Sequence, residues 1–373
     1  MLVTVGLLLV LFLRVPIKPL PSLTGNLENS MIDWITAIVP CFHEKPLDSG
    51  RITKINSSGE VEWESLTAIS VVGSHDSSLR LKTHSVNDFG NGTHVYFDGN
   101  PVKFLQGHNL FGTDNLIPLL CCVLKKITSI PELGLNPTDF DVRSWEKGNF
   151  KLNRVDCTAM FDVGNTANAL SWIRQAEMNA TLSHRGRGQV TKGSTLYFGK
   201  SSRRSSVKFY AKGEEFQKHS HAAFLQLPAL VDYANRGLRC EVVLRSLELN
   251  HRGLSSGSAW DDLLPLQIVN DFIGRINMAD ITAITSEKTD GLSPAYKAVY
   301  ELWKCGHDIR SMYSRPSFYR YRKALMDALG IDIATVQYKQ PDNVVPFIRI
   351  IEAKPMGVPD WAIGTDLYFD GVI

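Results

Sequence analysis

The chain has 373 residues, 44% hydrophobic and 21% charged, enough to bury a sizeable core in two or three domains. That balance reads as soluble and globular and sets aside a mainly disordered chain. The formal net charge of +2 says little about partners, but its distribution says more. Residues 182–218 hold nine Lys/Arg against Glu214 and Glu215, a local excess of seven that attracts phosphate backbones unless it is only a solvated basic loop.

Residues 1–13 are almost wholly apolar, yet too few to span a bilayer, and no basic residue precedes them. The expectation is translation from Met31, with residues 1–30 as an upstream extension; a short membrane anchor is the alternative. Six cysteines are scattered without a CxxC pair. Cys157 and Cys240 fall on inward strand faces, which fits a reduced cytoplasmic compartment.

From Met31 to about residue 110 the pattern is strand-like, with alternating runs at 34–39, 60–63, 79–83 and 94–97 split by Gly, Asn, Asp and Ser clusters. Residues 103–113 end a strand with a polar Gln106, His108, Asn109 group between Gly107 and Gly112. This is either a turn or a place for His108 as metal ligand or phosphate contact. Residues 116–130 read as a helix that Asp114 can cap. A strand at 152–162, a helix at 166–181, a hairpin of 194–199 with 207–212 around a basic tip, and a strand at 238–245 follow. Beyond about residue 260 the pattern becomes helical, at 265–278, 294–305, 309–313 and 316–329, before a strand at 343–352. The expected class is α+β. A first domain on a largely antiparallel sheet, at 31–255, precedes a mostly helical module at 256–373.

Three polar dyads interrupt apolar runs: Arg154-Val155-Asp156, Tyr210-Ala211-Lys212 and Arg239-Cys240-Glu241. Side chains at i and i+2 of a strand share a face. Arg154, Asp156 and Thr158 therefore lie together, as do Lys208, Tyr210 and Lys212, and Arg239 with Glu241. On one sheet they gather two carboxylates, a tyrosine and several cations. Taken singly, each dyad reads first as a surface ion pair or packing. Together they suit phosphodiester transfer to a tyrosine. A phenol of ordinary pKa about 10 ionises more readily beside a cation or metal. Carboxylates hold a hard ion such as Mg²⁺ (Mn²⁺ being the alternative). A covalent phosphotyrosine conserves the broken bond for resealing.

Residues 300–326 interleave Lys304, Arg310, Arg315, Arg320, Arg322 and Lys323 with Trp303, Tyr313, Phe318, Tyr319 and Tyr321. Short helices before a basic one are similar to a helix-turn-helix whose last helix reads a DNA groove; the alternative is a helical bundle with a solvated basic face.

The segments KFLQGHNLFGT (103–113), TLYFGK (195–200), VKFYAKGEE (207–215), RINM (275–278) and DNVVPFIRI (342–350) resemble the replication initiation proteins of filamentous bacteriophages, the gene II protein family. The resemblance spreads over most of residues 31–373. It implies a fold related to relaxases and rolling-circle nucleases, and nicking of the plus strand at the phage double-stranded origin to leave a 3′-hydroxyl, with later rejoining. It implies Tyr210 as nucleophile with Lys212 beside it, Asp156 and Glu241 as metal ligands with His108 as a further candidate, and host helicase and polymerase as partners. A homo-oligomer on DNA is conceivable, and no stable membrane association is expected. The paired histidines of many such enzymes are absent. DNA contacts are expected from Arg154, Lys200, Arg203, Arg204, Lys208 and Arg239, and in the helical module from Arg315, Arg320, Arg322 and Lys323. The competing class is a non-catalytic DNA-binding regulator, which has no need of Tyr210 beside two carboxylates.

Overall fold

The structure is a computed structural model that describes residues 30–191, 193–278, 291–304, 307–329, 332–334 and 355–369. The apolar start, Cys305 and the strand expected at 343–352 lie outside the described residues.

Nine strands form one antiparallel sheet in the order β10-β11-β12-β13-β7-β1-β6-β5-β4. Its members are β1 (Ser30–His43), β4 (Ile69–Val72), β5 (Ser78–Val86), β6 (Gly92–Gly99), β7 (Lys151–Asp162), β10 (Gln189–Thr191), β11 (Thr195–Phe198), β12 (Ser205–Ala211) and β13 (Gly237–Arg245). A hairpin of β2 (Arg51–Ile55) and β3 (Val61–Leu66) stands apart, and β8 (Ala180–Leu182), β9 (Gly186–Arg187) and β14 (Ile276–Met278) make a small third sheet.

One face of the large sheet carries Ile35, Ala37, Val39, Val155, Cys157, Val207, Phe209, Cys240 and Val242, all buried. They join the apolar sides of α2 (Leu116–Thr128), α4 (Thr166–Asn179) and α9 (Leu264–Ile273) in a single core. Trp172 of α4 meets the Phe209 ring at 4.9 Å. Burying such a layer supplies most of the folding drive. β13 and the middle of β7 are buried on both faces, whereas β5 alternates exposed and buried. The second face is therefore covered only over the sheet's centre.

That partial cover comes from short helices the periodicity did not reveal. They are α1 (Pro101–Gln106), α5 (Lys212–His219), α6 (Ala222–Leu225) and α7 (Pro228–Arg236), with α3 (Asp139–Glu146) and α8 (Ser246–Arg252) elsewhere. Residues 103–106, expected to end a strand, belong to α1. Asn100 accepts from the Lys103 amide at its start, and Gly107 closes it at φ +85°. A Cβ at Gly107 would lie 2.5 Å from His75 Nδ1 and 2.6 Å from Phe224 Cζ, so glycine is needed twice over, for conformation and for space. The helix at 116–128 is present, but Asn115 precedes it without a side-chain cap.

The helices α10 (Pro294–Lys304), α11 (Ile309–Met312) and α12 (Arg315–Leu329) pack around Val299, Tyr300, Trp303, Phe318 and Leu325 as a separate cluster. Past the expected boundary at 255/256, Trp260, Ile268, Val269, Phe272 and Ile273 pack in the sheet's own core. Residues 355–369 also return to the sheet, where Pro355 bridges Phe161 and Ala362 packs with Phe111 and Phe224.

Candidate functional site

The register places the dyads on the partly covered face. Lys208 pairs with Glu241 and Tyr210 with Arg239 across β12 and β13. Glu241 pairs with Thr158, and Asp156 with Trp34, across β13, β7 and β1. Residues directly opposite one another share a face, so Tyr210, Lys208, Arg239, Glu241, Arg154 and Asp156 converge as the strand period predicts. All of these but Arg239 bound a cleft of about 460 Å³ that Asp33, Trp34, Lys103, Asn109, Tyr197, Glu215 and Lys218 also line.

Each carboxylate in the floor has a cation. Arg154 donates from Nε to Asp156 Oδ1 at 2.7 Å and from a terminal nitrogen to Oδ2 at 2.5 Å. Lys208 Nζ lies 2.6 Å from Glu241 Oε1. Burial, joined by the charge of Glu241, pushes the Asp156 carboxyl up to about 8 despite Arg154. Burial alone would lower Lys208, but Glu241 outweighs it and holds the ammonium above its usual value.

Tyr210 is 7% exposed, and its Oη donates to Glu241 Oε2 over a long 3.4 Å. Lys208 and Lys212 sit 5.3 and 5.9 Å from its ring centre. The expectation that cations lower this phenol's pKa is corrected. Burial raises it well above 10, Glu241, Glu215 and Asp33 add to that, and the pull of Arg239 is smaller. At rest the nucleophile candidate is a neutral phenol that needs a base.

Lys212 corrects a second expectation. β12 stops at Ala211 and Lys212 opens α5, so it does not continue the strand face. Its ammonium is fully buried, donating to Asn109 Oδ1 at 2.8 Å and Glu215 at 2.5 Å. Burial brings it down to about 8 against the pull of Glu215. Glu215 is itself drawn up by burial but ends below its ordinary value because Lys212 and Arg239 face it.

Arg239, expected on DNA, is 1% exposed. Its guanidinium donates to the carbonyls of Asn109 and Leu110, both at 2.5 Å, clamping loop 107–113 over the sheet. His108 is likewise not beside the carboxylates. It is buried against Phe111 and Phe224, with ring centres 4.9 and 5.3 Å away, and desolvation takes it to about 3. Arg322 is also engaged, bonding Asp332 through two nitrogens at 2.7 Å. Arg315, Arg320 and Lys323 stand exposed on α12, and Lys200, Arg203 and Arg204 border the hairpin tip, although Arg204 already bonds Glu248 at 3.0 Å.

Two residues of the site went unread in the sequence. β1 carries an extra residue between Ile32 and Trp34 relative to β7, a bulge that re-aims Asp33. Asp33 accepts from Asn100 at 2.8 Å and Asn109 at 2.7 Å, while Trp34 lines the cleft. An aspartate inside an apolar strand was the same kind of signal as the dyads. Among the described residues, no three His, Cys, Asp or Glu are grouped to hold a metal. Asp156 and Glu241 still offer hard oxygens in one cleft, a donor set that suits an ion completed by substrate phosphates.

Residues 31–263 match the N-terminal part of the phage replication-associated protein family, the gene II proteins, and residues 284–365 match its C-terminal counterpart. The chain belongs to the gene II protein family. The replication-associated protein of this family from Enterobacteria phage I2-2 is 37% identical over 334 residues, covering 88% of this chain and 95% of the relative. A rolling circle replication initiator protein from Geobacillus stearothermophilus covers 83% of this chain and 99% of its own, at 13% identity and a TM-score of 0.30. That superposition is too loose to carry any position across. This gene II family chain is thus a phage replication-associated protein whose polar cleft lies inside the N-terminal family match.

Proposed function

We propose that the chain nicks and rejoins one strand of the phage origin, with Tyr210 as nucleophile. The observation that carries this is the cleft itself: a tyrosine hydroxyl next to a carboxylate, with cations at the rim and two acids in the floor. A DNA-binding regulator would have no use for buried, neighbouring Asp156 and Glu241, whose mutual repulsion costs stability.

Tyr210 Oη attacks the phosphorus and the bond to the 3′ oxygen breaks, that oxygen taking a proton from water, which leaves a 3′-hydroxyl and a 5′-phosphotyrosine. Glu241 is placed to take the phenol proton, which the raised pKa of Tyr210 requires. Lys212, brought down to about 8 by burial, is a proton reserve 5.9 Å from the Tyr210 ring centre. The reverse attack by a 3′-hydroxyl reseals the strand. Asp156 and Glu241 would hold a divalent ion, Mg²⁺ or Mn²⁺, which neutralises charge on the phosphodiester when bound. Lys208 and Arg154 contact phosphates at the rim, Lys200 and Arg203 at the hairpin tip. Host helicase and polymerase would then extend the 3′ end.

The test uses supercoiled phage replicative-form DNA. Tyr210→Phe should give neither open circles nor a denaturation-resistant protein–DNA adduct, while Tyr197→Phe, on the neighbouring strand, keeps both. An adduct surviving in Tyr210→Phe would end the assignment. Glu241→Gln should slow nicking by about 10²-fold or more with DNA affinity little changed.

A further inference from the structure

Beyond the cleft, the same sheet face continues half-buried across β1, β6 and β5, where Lys82 donates to the Leu66 carbonyl at 2.9 Å and to Ser65 Oγ at 3.3 Å. Along β5, Arg80 and His84 are exposed while Leu79, Leu81 and Thr83 are buried behind them; along β6, Tyr96 and His94 are half-buried while Val95 and Phe97 are buried. Lys82 pairs with Tyr96 and Arg80 with Asp98, and Asp98 pairs in turn with Thr36. These residues therefore lie on the face that holds Asp156 and Trp34. The acid on this flank, Asp98, is buried and paired with Arg80. Asp98 also accepts from Trp34 Nε1 at 3.0 Å, which fixes the indole at the cleft's edge.

The half-buried aromatics on this face each carry a cation over the ring. Arg154 is 5.3 Å from the Trp34 ring centre, Lys82 is 5.6 Å from Tyr96, and Lys200 is 5.0 Å from Tyr197. Tyr197 on β11 and Tyr96 on β6 are five strands' spacing apart, roughly 24 Å across the sheet, with Tyr96 displaced along the strands because it pairs with Ile38, and Tyr210 lies on a strand between them. Such rings offer stacking surface to unpaired bases, and the cations beside them offer phosphate contacts. Duplex DNA hides its base faces, so it has nothing for the rings; an unpaired strand uses both.

We propose that this face of β1, β6 and β5 is a track for single-stranded DNA leading into the cleft. On it, Trp34 and Tyr96 stack bases, and Arg80 and Arg154 meet phosphates. The track rests on the nicking reading for its purpose, since a strand held there is positioned across Tyr210.

The test measures binding of a fluorescein-labelled 20-residue oligothymidylate, and of a blunt 20-base-pair duplex, to the full-length chain carrying Tyr210→Phe, so that cleavage cannot intervene. Adding Trp34→Ala or Tyr96→Ala should weaken oligothymidylate binding about tenfold, while Trp34→Phe and Tyr96→Phe keep most of it. Arg80→Ala should flatten the salt dependence by about 0.7 in log–log slope. Lys125→Ala, on α2 behind the sheet, should change nothing. Unchanged oligothymidylate affinity in Tyr96→Ala and Trp34→Ala, with wild-type circular dichroism, overturns the track. So does an equal loss on duplex and single strand. The adduct assay with Tyr210 intact separates the two readings. Binding that depends on Trp34 and Tyr96 without any adduct leaves the track and removes the nicking; an adduct with unaltered binding does the reverse.

Discussion

Arg239 and His108 show how single buried polar groups shape this site. A buried guanidinium is tolerable when its donors are used, and Arg239 directs two of them at the Asn109 and Leu110 carbonyls. Arg239→Met should therefore cost roughly 3 kcal/mol, the order of two hydrogen bonds to a charged group, read as a lower urea midpoint. It should also free loop 107–113 to proteolysis. His108 carries a pH dependence. Its folded pKa, about 3, lies below the unfolded value near 6.5. Between those values the unfolded chain binds the extra proton, so stability is full above about pH 6.5 and falls as pH drops toward 3. His108→Gln, which still accepts from the Leu110 amide, should flatten that part of the stability curve in denaturant titrations across pH 4–7. An equally steep curve would mean that other groups dominate. The dyads were legible because strand period alone puts i and i+2 on one face. Which cation meets phosphate and which is spent on the protein's own carbonyls was not legible, because Arg239 and Arg154 look alike until the loop above them is seen.

At the scale of elements, the long strands and the helices at 116–128, 166–179 and 315–329 showed in the sequence because their apolar period runs for several turns or pairs. Helices such as α1, α5 and α6 run for only four to eight residues, too short to hold together without tertiary contacts, so their pattern was invisible. The start of α5 matters most, since it turns Lys212 inward from a strand face that sequence period would have continued. In α12 the basic residues divide by role. Arg315, Arg320 and Lys323 are exposed, whereas Arg322 shares Asp332 with Arg187, whose contact is 3.1 Å. Arg320→Ala and Lys323→Ala should each lower the log–log salt slope of duplex binding by about one without altering thermal stability. Arg322→Ala should instead lower the melting temperature and leave the slope nearly alone. Filter binding between 50 and 200 mM salt, with calorimetry on the same variants, checks both halves.

For the whole molecule, the two family matches end at residue 263 and resume at 284, yet the polypeptide does not divide so simply. After the helical cluster the chain comes back. The Met356 amide donates to the Met160 carbonyl at 2.5 Å, the Tyr233 hydroxyl to the Gly357 carbonyl at 2.9 Å, and the Phe369 amide to Gln106 Oε1 at 2.9 Å. Trp361 and Tyr368 lie edge-on to Phe111, with ring centres 5.8 and 6.3 Å away, and Ala362 is fully buried. Composition gave no warning of this, because the partners sit about 120 to 260 residues upstream. Residues 355–369 thus cap the loop that Arg239 clamps over Tyr210. Truncation after residue 354 should uncover Leu110, Phe111 and Phe224 and cost on the order of 3–5 kcal/mol, the scale of losing large side chains from a core. It should also raise binding of a hydrophobic dye and slow nicking, while the exposed arginines of α12 keep duplex affinity nearly intact. Excising residues 291–329 should show the opposite pattern, with weaker duplex binding and a sheet that melts near its original temperature. If the truncated chain melted and nicked like the full one, the cap would be peripheral, and the loop's position would rest on Arg239, Lys212 and Asp33.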